Sequence, residues 1–145
     1  MQVDPRGQRF AAAVTTVILL AVLVNGNGVL LAAQALVFAM ATFFGLRFAP
    51  YGLVYRLLVR PRLGPPGELE DAGPPRFAQG VGLAFTLVGT VGYGSGITWL
   101  GIGATAFALG AAFLNAVFGF CLGCEMYVLT RRITAKIRSD REVPA

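Results

Sequence analysis

Leu100–Cys121 reads LGIGATAFALGAAFLNAVFGFC and carries no charge. At 1.5 Å per residue a helix over it is about 33 Å long, enough for the ~30 Å hydrocarbon core of a bilayer. Three more apolar blocks precede it: about Arg9 to Val24, Val29 to Leu46, and Phe77 to Ile97. The first reaches spanning length only with Gln8 or Asn25 at the interface. Lipid offers no partner to unpaired backbone groups, so each block reads as a helix. The expectation is an all-α integral membrane four-helix bundle, a single domain over residues 1–145. Its helices fall at about 9–25, 29–47, 77–97 and 100–121.

Composition points the same way. The 145 residues allow one domain of ordinary size. They are 56% hydrophobic and 13% charged, against about 25% charged in a soluble chain. That excludes an ordinary soluble globule. The absence of histidine removes His-based acid–base catalysis, His-ligated haem and His-containing zinc sites. Two cysteines are too few for a disulfide-built secreted fold. Arg6, Arg9 and the triplet Ala33-Gln34-Ala35 imitate a signal peptide. The apolar run resumes before that triplet, however, so the first block is read as a retained anchor.

Charge placement sets the expected orientation. The links Asn25–Gly28 and Ser95–Trp99 are uncharged. All 12 basic residues lie elsewhere. Arg6 and Arg9 stand at the start. Arg47, Arg56, Arg60, Arg62 and Arg76 flank the middle, and Arg131, Arg132, Lys136, Arg138 and Arg141 close the chain. Four spans put these regions on one side, and the positive-inside rule makes it the cytoplasm of an inner membrane. Tyr93 and Trp99 then belong at the outer interface. The Arg131–Arg141 stretch reads as a contact with anionic lipid. Without interleaved aromatic residues it does not read as a nucleic-acid site.

Between the two pairs of helices, Pro50–Arg60 sets Leu53, Val54, Leu57 and Leu58 against Arg56 and Arg60, the pattern of an interfacial helix. A second such stretch covers about 122–138. Pro61–Pro75 holds five of the eight prolines with Glu68, Glu70 and Asp71. It reads as a stiff cytoplasmic connector, or as a docking surface for a soluble partner. Arg9-Phe10-Ala11-Ala12-Ala13-Val14 and Arg76-Phe77-Ala78-Gln79-Gly80-Val81 open matching halves. Phe38-Ala39 with Phe44 then parallels Phe107-Ala108 with Phe113. The expectation is two parallel helical-hairpin repeats, each followed by an interfacial helix, with chance likeness of apolar segments as the rival.

Small residues must replace the missing hydrophobic drive between helices in lipid. Ala104, Ala108, Ala112 and Ala116 form one expected seam; Ala78 with Gly82, and Gly92 with Gly96, form others. Gln34 and Asn115 are the strongest polar groups in apolar blocks. Each needs a backbone carbonyl or the other as partner, and both read as glue between helices rather than as the lining of a path.

One constellation carries chemistry: Phe120-Cys121-Leu122-Gly123-Cys124-Glu125. On a continuous helix the sulfurs share a face one turn apart, with Cβ atoms about 5–6 Å from each other. A disulfide wants about 3.5–4.5 Å, so some distortion is needed, and Gly119 and Gly123 offer places for it. Three readings stand. Cys121 and Cys124 form a redox dithiol or sulfur-relay site, with Glu125 tuning protonation and Arg131 and Arg132 favouring a thiolate. They hold a soft metal, which requires Glu125 or a homo-oligomer to complete the ligand set. Or they are small packing residues of a non-enzymatic subunit or scaffold. A pair at this spacing, in a chain with no other cysteine, favours the first. Phosphate-loop, dinucleotide and nucleophile-elbow motifs are absent, and no cofactor is called for.

The segments Val3–Arg6, Pro50–Leu53, Arg60–Pro66, Glu68–Asp71, Pro74–Gln79 and above all Gly119–Tyr127, GFCLGCEMY, resemble the bacterial membrane family catalogued as domain of unknown function 4395, with actinobacterial members the most similar. The resemblance covers nearly the whole chain. It implies no activity. It implies company: thioredoxin-like and sulfurtransferase-like partners, which tilts the cysteine pair toward thiol chemistry.

Overall fold

The turn at Asn25–Gly28 shows how the helices begin and end. Gly26 takes φ +64°, a backbone shape that costs glycine little. Asn27 then caps the next helix, its side-chain oxygen accepting the N–H groups of Val29 at 3.0 Å and Leu30 at 3.1 Å. In the computed structural model, which describes residues 2–3, 5–64, 70–71 and 73–142, this turn joins α1 (Pro5–Asn25) to α2 (Gly28–Phe43). Leu46–Phe48 makes one tight turn. Short α3 (Pro50–Val54) opens into a wider turn over Tyr55–Val59 and closes as α4 (Arg60–Leu63). Then come α5 (Gly73–Gly94), α6 (Thr98–Phe118) and α7 (Leu122–Glu142). Gln2–Val3 (β1) pairs antiparallel with Glu70–Asp71 (β2). Apart from that two-residue pairing, the described chain is helical.

Several bounds differ from the sequence reading. The third long helix starts at Gly73, so Pro74 and Pro75 lie in its first turn. Proline is tolerated there because the first N–H groups of a helix have no partner inside it. At its other end the stretch called a proline-rich loop begins as α4. Residues 65–69 and 72 of that stretch lie outside the described residues.

Two helices, α1 and α6, are long and apolar enough to cross a membrane, with mean hydropathy 1.8 and 1.7. Only 22% of each apolar stretch is buried within the protein. Val17, Val29, Trp99 and Phe107 are at least two-thirds exposed. α2 is apolar but spans 16 residues, about 24 Å. α5 has the length, but its Gln79, glycines and threonines lower its hydropathy.

α1 packs on α6, α2 on α5, and α5 on α6, while α1 and α2 touch less. Leu19, Val22, Leu31 and Ala108 form the buried core, with Leu30, Tyr93 and Leu109 against it. Glycine sets the closest approaches. A Cβ on Gly92 would stand 2.5 Å from the Gly101 nitrogen, and one on Gly89 2.8 Å from Leu31. Gly96 does not join the seam proposed with Gly92. It holds the turn between α5 and α6 at φ +82°. Buried Thr86 and Thr105 return their hydroxyls to the carbonyls of Gly82 (2.8 Å) and Gly101 (2.7 Å) of their own helices.

Gln34, 1% exposed, finds neither Asn115 nor a carbonyl. Its amide donates to the Thr15 hydroxyl at 3.5 Å, and its oxygen accepts the Tyr51 phenol at 2.5 Å. These bonds tie α1, α2 and α3 together.

The ends of the helices are stitched reciprocally. Arg9, in the second turn of α1, donates to the carbonyls of Ala116 (3.3 Å) and Val117 (3.2 Å) at the end of α6. Arg76, in the first turn of α5, donates to those of Thr42 (2.6 Å) and Phe43 (3.1 Å) at the end of α2. A cation at a helix C-terminus meets both the orphan carbonyls and the negative end of the dipole. The starts of α1 and α5 and the ends of α2 and α6 therefore share one end of the molecule. Both uncharged links lie at the other.

Candidate functional site

α6 stops where its sequence turns to glycine. Gly119 adopts φ +68°. Its N–H bonds the Asn115 carbonyl, and the Phe120 N–H bonds that of Leu114. This pattern satisfies the last carbonyls of a helix and redirects the chain. Cys121 follows, outside both helices, and α7 begins at Leu122.

Cys121 occupies the N-cap position of α7. Its carbonyl accepts the Glu125 N–H at 3.0 Å, and its sulfur lies 3.1 Å from the Cys124 nitrogen. The two cysteines form a disulfide with Cα atoms 5.1 Å apart, inside the usual range of about 4.4–6.8 Å. The distortion expected for a continuous helix thus takes the form of a break. One sulfur comes from the cap, the other from the first turn, and no bond inside the helix is spent on the approach.

Gly123 has a different task from Gly119. A Cβ there would stand 2.5 Å from the Cα and Cβ of Ala78, so glycine lets the first turn of α7 lie against α5. Phe77 and Tyr127 pack alongside, ring centroids 5.7 Å apart. Both cysteines are partly exposed, and Glu125 is exposed in the first turn of α7. A carboxylate there suits the positive end of the helix dipole. Among the described residues no three of Cys, Asp and Glu are grouped as a metal set, so Glu125 does not complete one with the two sulfurs.

Arg131 and Arg132 lie about two turns further along α7, roughly 10 Å from Cys124 along the axis. Arg131 stacks over the Tyr127 ring at 5.8 Å. The cation beside the cysteine turn is instead Arg9, whose Nε would be 3.9 Å from a Cβ on Gly119. Sequence reading passed over that role because the contact joins opposite ends of the chain. The only signal was an arginine at the mouth of an apolar helix, repeated at Arg76.

Behind Cys121 lies a cavity of about 240 Å³ between α1, α2, α5, α6 and α7. Apolar side chains make most of its wall, joined by Gln8, Gln79 and Asn115. Among the described residues no charged one lines it.

The family model for Domain of unknown function (DUF4395) matches residues 3–132. The chain belongs to that family. The match takes in both cysteines, Glu125, Arg9 and every residue of the cavity wall, so the site lies wholly inside the family's region. No curated protein and no solved structure matches the chain.

Proposed function

We propose that this protein is a multi-pass inner-membrane protein whose Cys121–Cys124 pair exchanges thiols and disulfides with a soluble thioredoxin-like or sulfurtransferase-like partner. In this reading α1, α2, α5 and α6 span the bilayer as a bundle of two parallel hairpins. Both termini and the cysteine pair face the cytoplasm. The low burial of α1 and α6 supports it, because a core helix of a soluble protein would be mostly covered. The reciprocal arginine caps support the two-hairpin arrangement.

One observation carries the chemistry: the bonded cysteine pair at the start of α7, with the Cys121 sulfur against the Cys124 N–H. A thiolate is favoured at a helix N-terminus, where an N–H and the dipole both oppose its charge. In the reduced pair Cys121 is therefore the attacking sulfur. It attacks a partner disulfide, forms the mixed disulfide and releases one partner thiolate. Cys124 loses its proton, with exposed Glu125 or water as acceptor, and attacks the Cys121 sulfur. The internal disulfide forms and the second partner thiolate leaves. Two electrons pass from this chain to the partner, and every step runs equally in reverse.

Mass spectrometry with and without reductant tests the pair. Mild oxidation of the reduced protein should remove two hydrogens, and Cys121→Ser and Cys124→Ser should each abolish that change. In Cys124→Ser the remaining thiol should be alkylated by iodoacetamide near neutral pH faster than the one in Cys121→Ser. Equal rates would sink the assignment of the attacking sulfur. Thiols inert to both reagents in detergent would sink the exchange reading itself.

A further inference from the structure

We infer that the cavity behind Cys121 receives the ring of a quinone, and that the reduced cysteine pair passes its two electrons to that ring. The inference rests on the thiol-exchange reading and names the acceptor that would make it a cycle.

Three properties of the cavity select this ligand class. The first is size. An enclosed apolar cavity of about 150 Å³ holds benzene, so about 240 Å³ in a half-open cavity has room for one substituted six-membered ring, with any tail leaving through the opening. The second is charge. Among the described residues no ionic side chain lines the wall, so a carrier bearing phosphates, such as a nicotinamide dinucleotide or a flavin nucleotide, would find no cation there to pair its charges.

The third property is the placement of donors. α1 and α5 begin, and α6 ends, at the side of the molecule where Cys121 stands. Gln8, Gln79 and Asn115 come from those helix ends, so all three amides sit toward the cysteine end of the cavity. All three are partly exposed, and among the described residues none of these side chains bonds to another group of the chain. Phe85 and Phe107 are stacked on one another, ring centroids 6.1 Å apart, on the cavity wall. An uncharged ring with carbonyl oxygens satisfies both features: the amides donate to oxygen and the apolar wall takes the ring. A lipid acyl chain would meet the apolar wall but would make no use of the amides.

The electron count closes. Two Cys S–H bonds break and one S–S bond forms. Two protons and two electrons go to the quinone, whose two C=O groups become C–OH. The oxidised pair then accepts two electrons from a partner dithiol, by the exchange steps above run in reverse.

The test uses the full chain in lipid nanodiscs, reduced and freed of reductant. The acceptor is decylubiquinone, whose ring has no free C–H for a thiol to add to. Ellman's reagent, a water-soluble disulfide, serves in parallel. The expected result is one quinol formed per chain with loss of two thiols. Ala112→Phe, which fills the cavity, should slow quinol formation at least about tenfold while leaving the reaction with Ellman's reagent unchanged. Asn115→Leu, close in volume, should slow it by about fivefold to tenfold through loss of one donor. It keeps the question decidable if Ala112→Phe does not fold. Wild-type thiols that react with Ellman's reagent but not with the quinone would overturn the acceptor and leave the exchange reading standing. Thiols that react with neither would overturn both. Quinol formation undiminished in Asn115→Leu and in every folded cavity-filling variant would remove the cavity from the reaction.

Discussion

The chain leaves α2 and α6 through comparable joints, and only the second carries sulfur. At the first, Ala49 caps α3 and its carbonyl accepts the Leu53 N–H at 3.1 Å. At the second, Cys121 caps α7 and its carbonyl accepts the Glu125 N–H at 3.0 Å. Three residues beyond each cap stand Gly52 and Cys124. Three further on, Tyr55 packs against Phe10 at 5.9 Å and Tyr127 against Phe77 at 5.7 Å. What differs is the approach. The first joint inserts the tight turn Leu46–Phe48, which brings the Leu46 carbonyl so close that a Cβ on Gly52 would lie 2.8 Å from its oxygen. The second makes its turn with one left-handed glycine and leaves the cap free. The lesson is steric: a cysteine pair fits a helix start only where the incoming chain stays clear of the first turn.

The largest effects should come from the sulfurs. Cys121→Ser and Cys124→Ser should each reduce disulfide exchange to the level of buffer, read as turnover of a dithiol substrate. Cys124→Ser alone should accumulate a mixed disulfide, visible as an added partner mass. The reverse graft tests the comparison directly. Ala49→Cys with Gly52→Cys, made in a chain with serines at 121 and 124, should fail to close a disulfide, because the Leu46 carbonyl occupies the space of the new Cβ. The intact mass should then remain that of the dithiol under oxidising conditions. A closed pair there would show that the approach, as drawn above, is not what separates the joints.

Glycine contacts give the next effect. Gly123→Ala places a methyl against the Ala78 backbone and should cost about 1–3 kcal/mol, the usual range for overpacking. Gly110→Ala, within α6 and facing open space, should be neutral or stabilise by about 0.5–1 kcal/mol through helix propensity. Thermal unfolding in one detergent compares them. Arg9→Ala and Arg76→Ala should follow, each losing two bonds to helix-end carbonyls at about 1–2 kcal/mol. If the two ends are truly reciprocal, the losses should match within the error of the measurement.

How much of this could be read in the sequence follows from the range of each interaction. Apolar blocks with uncharged links revealed the long helices, because burial in lipid or protein acts on composition alone. The start of α5 was hidden by Pro74-Pro75, which look like loop residues until their first-turn position is known. The cysteine pair was legible as chemistry from its spacing, but its geometry was not, since spacing cannot say that Gly119 ends one helix and Cys121 caps the next. Gln34 was marked as needing a partner, yet Thr15 and Tyr51 come from elements distant in sequence. The arginine caps and the cavity depend on which helices become neighbours, and no local pattern encodes that.

The smallest effect separates the two joints by pH. Tyr51 lies in the first joint, where burial pushes its phenol above the usual value of 10.0. Its hydroxyl also donates to Gln34, a bond available only to the protonated form. A folded-state value raised above the unfolded one means that the folded state keeps the proton longer. Stability from Tyr51 is therefore fully present below about pH 10, the unfolded value, and is lost as pH rises toward the higher folded value. Tyr51→Phe should lower stability modestly near neutral pH, by about 1 kcal/mol for the lost hydrogen bond. It should also remove the part of the alkaline decline that belongs to this group. Tyr127, the counterpart at the second joint, donates no hydrogen bond to Gln34, so Tyr127→Phe should leave that decline in place. Ultraviolet titration of tyrosinate alongside thermal unfolding reads both variants. An alkaline decline that survives in Tyr51→Phe unchanged would mean that the Gln34 contact does not bind the first joint to α2.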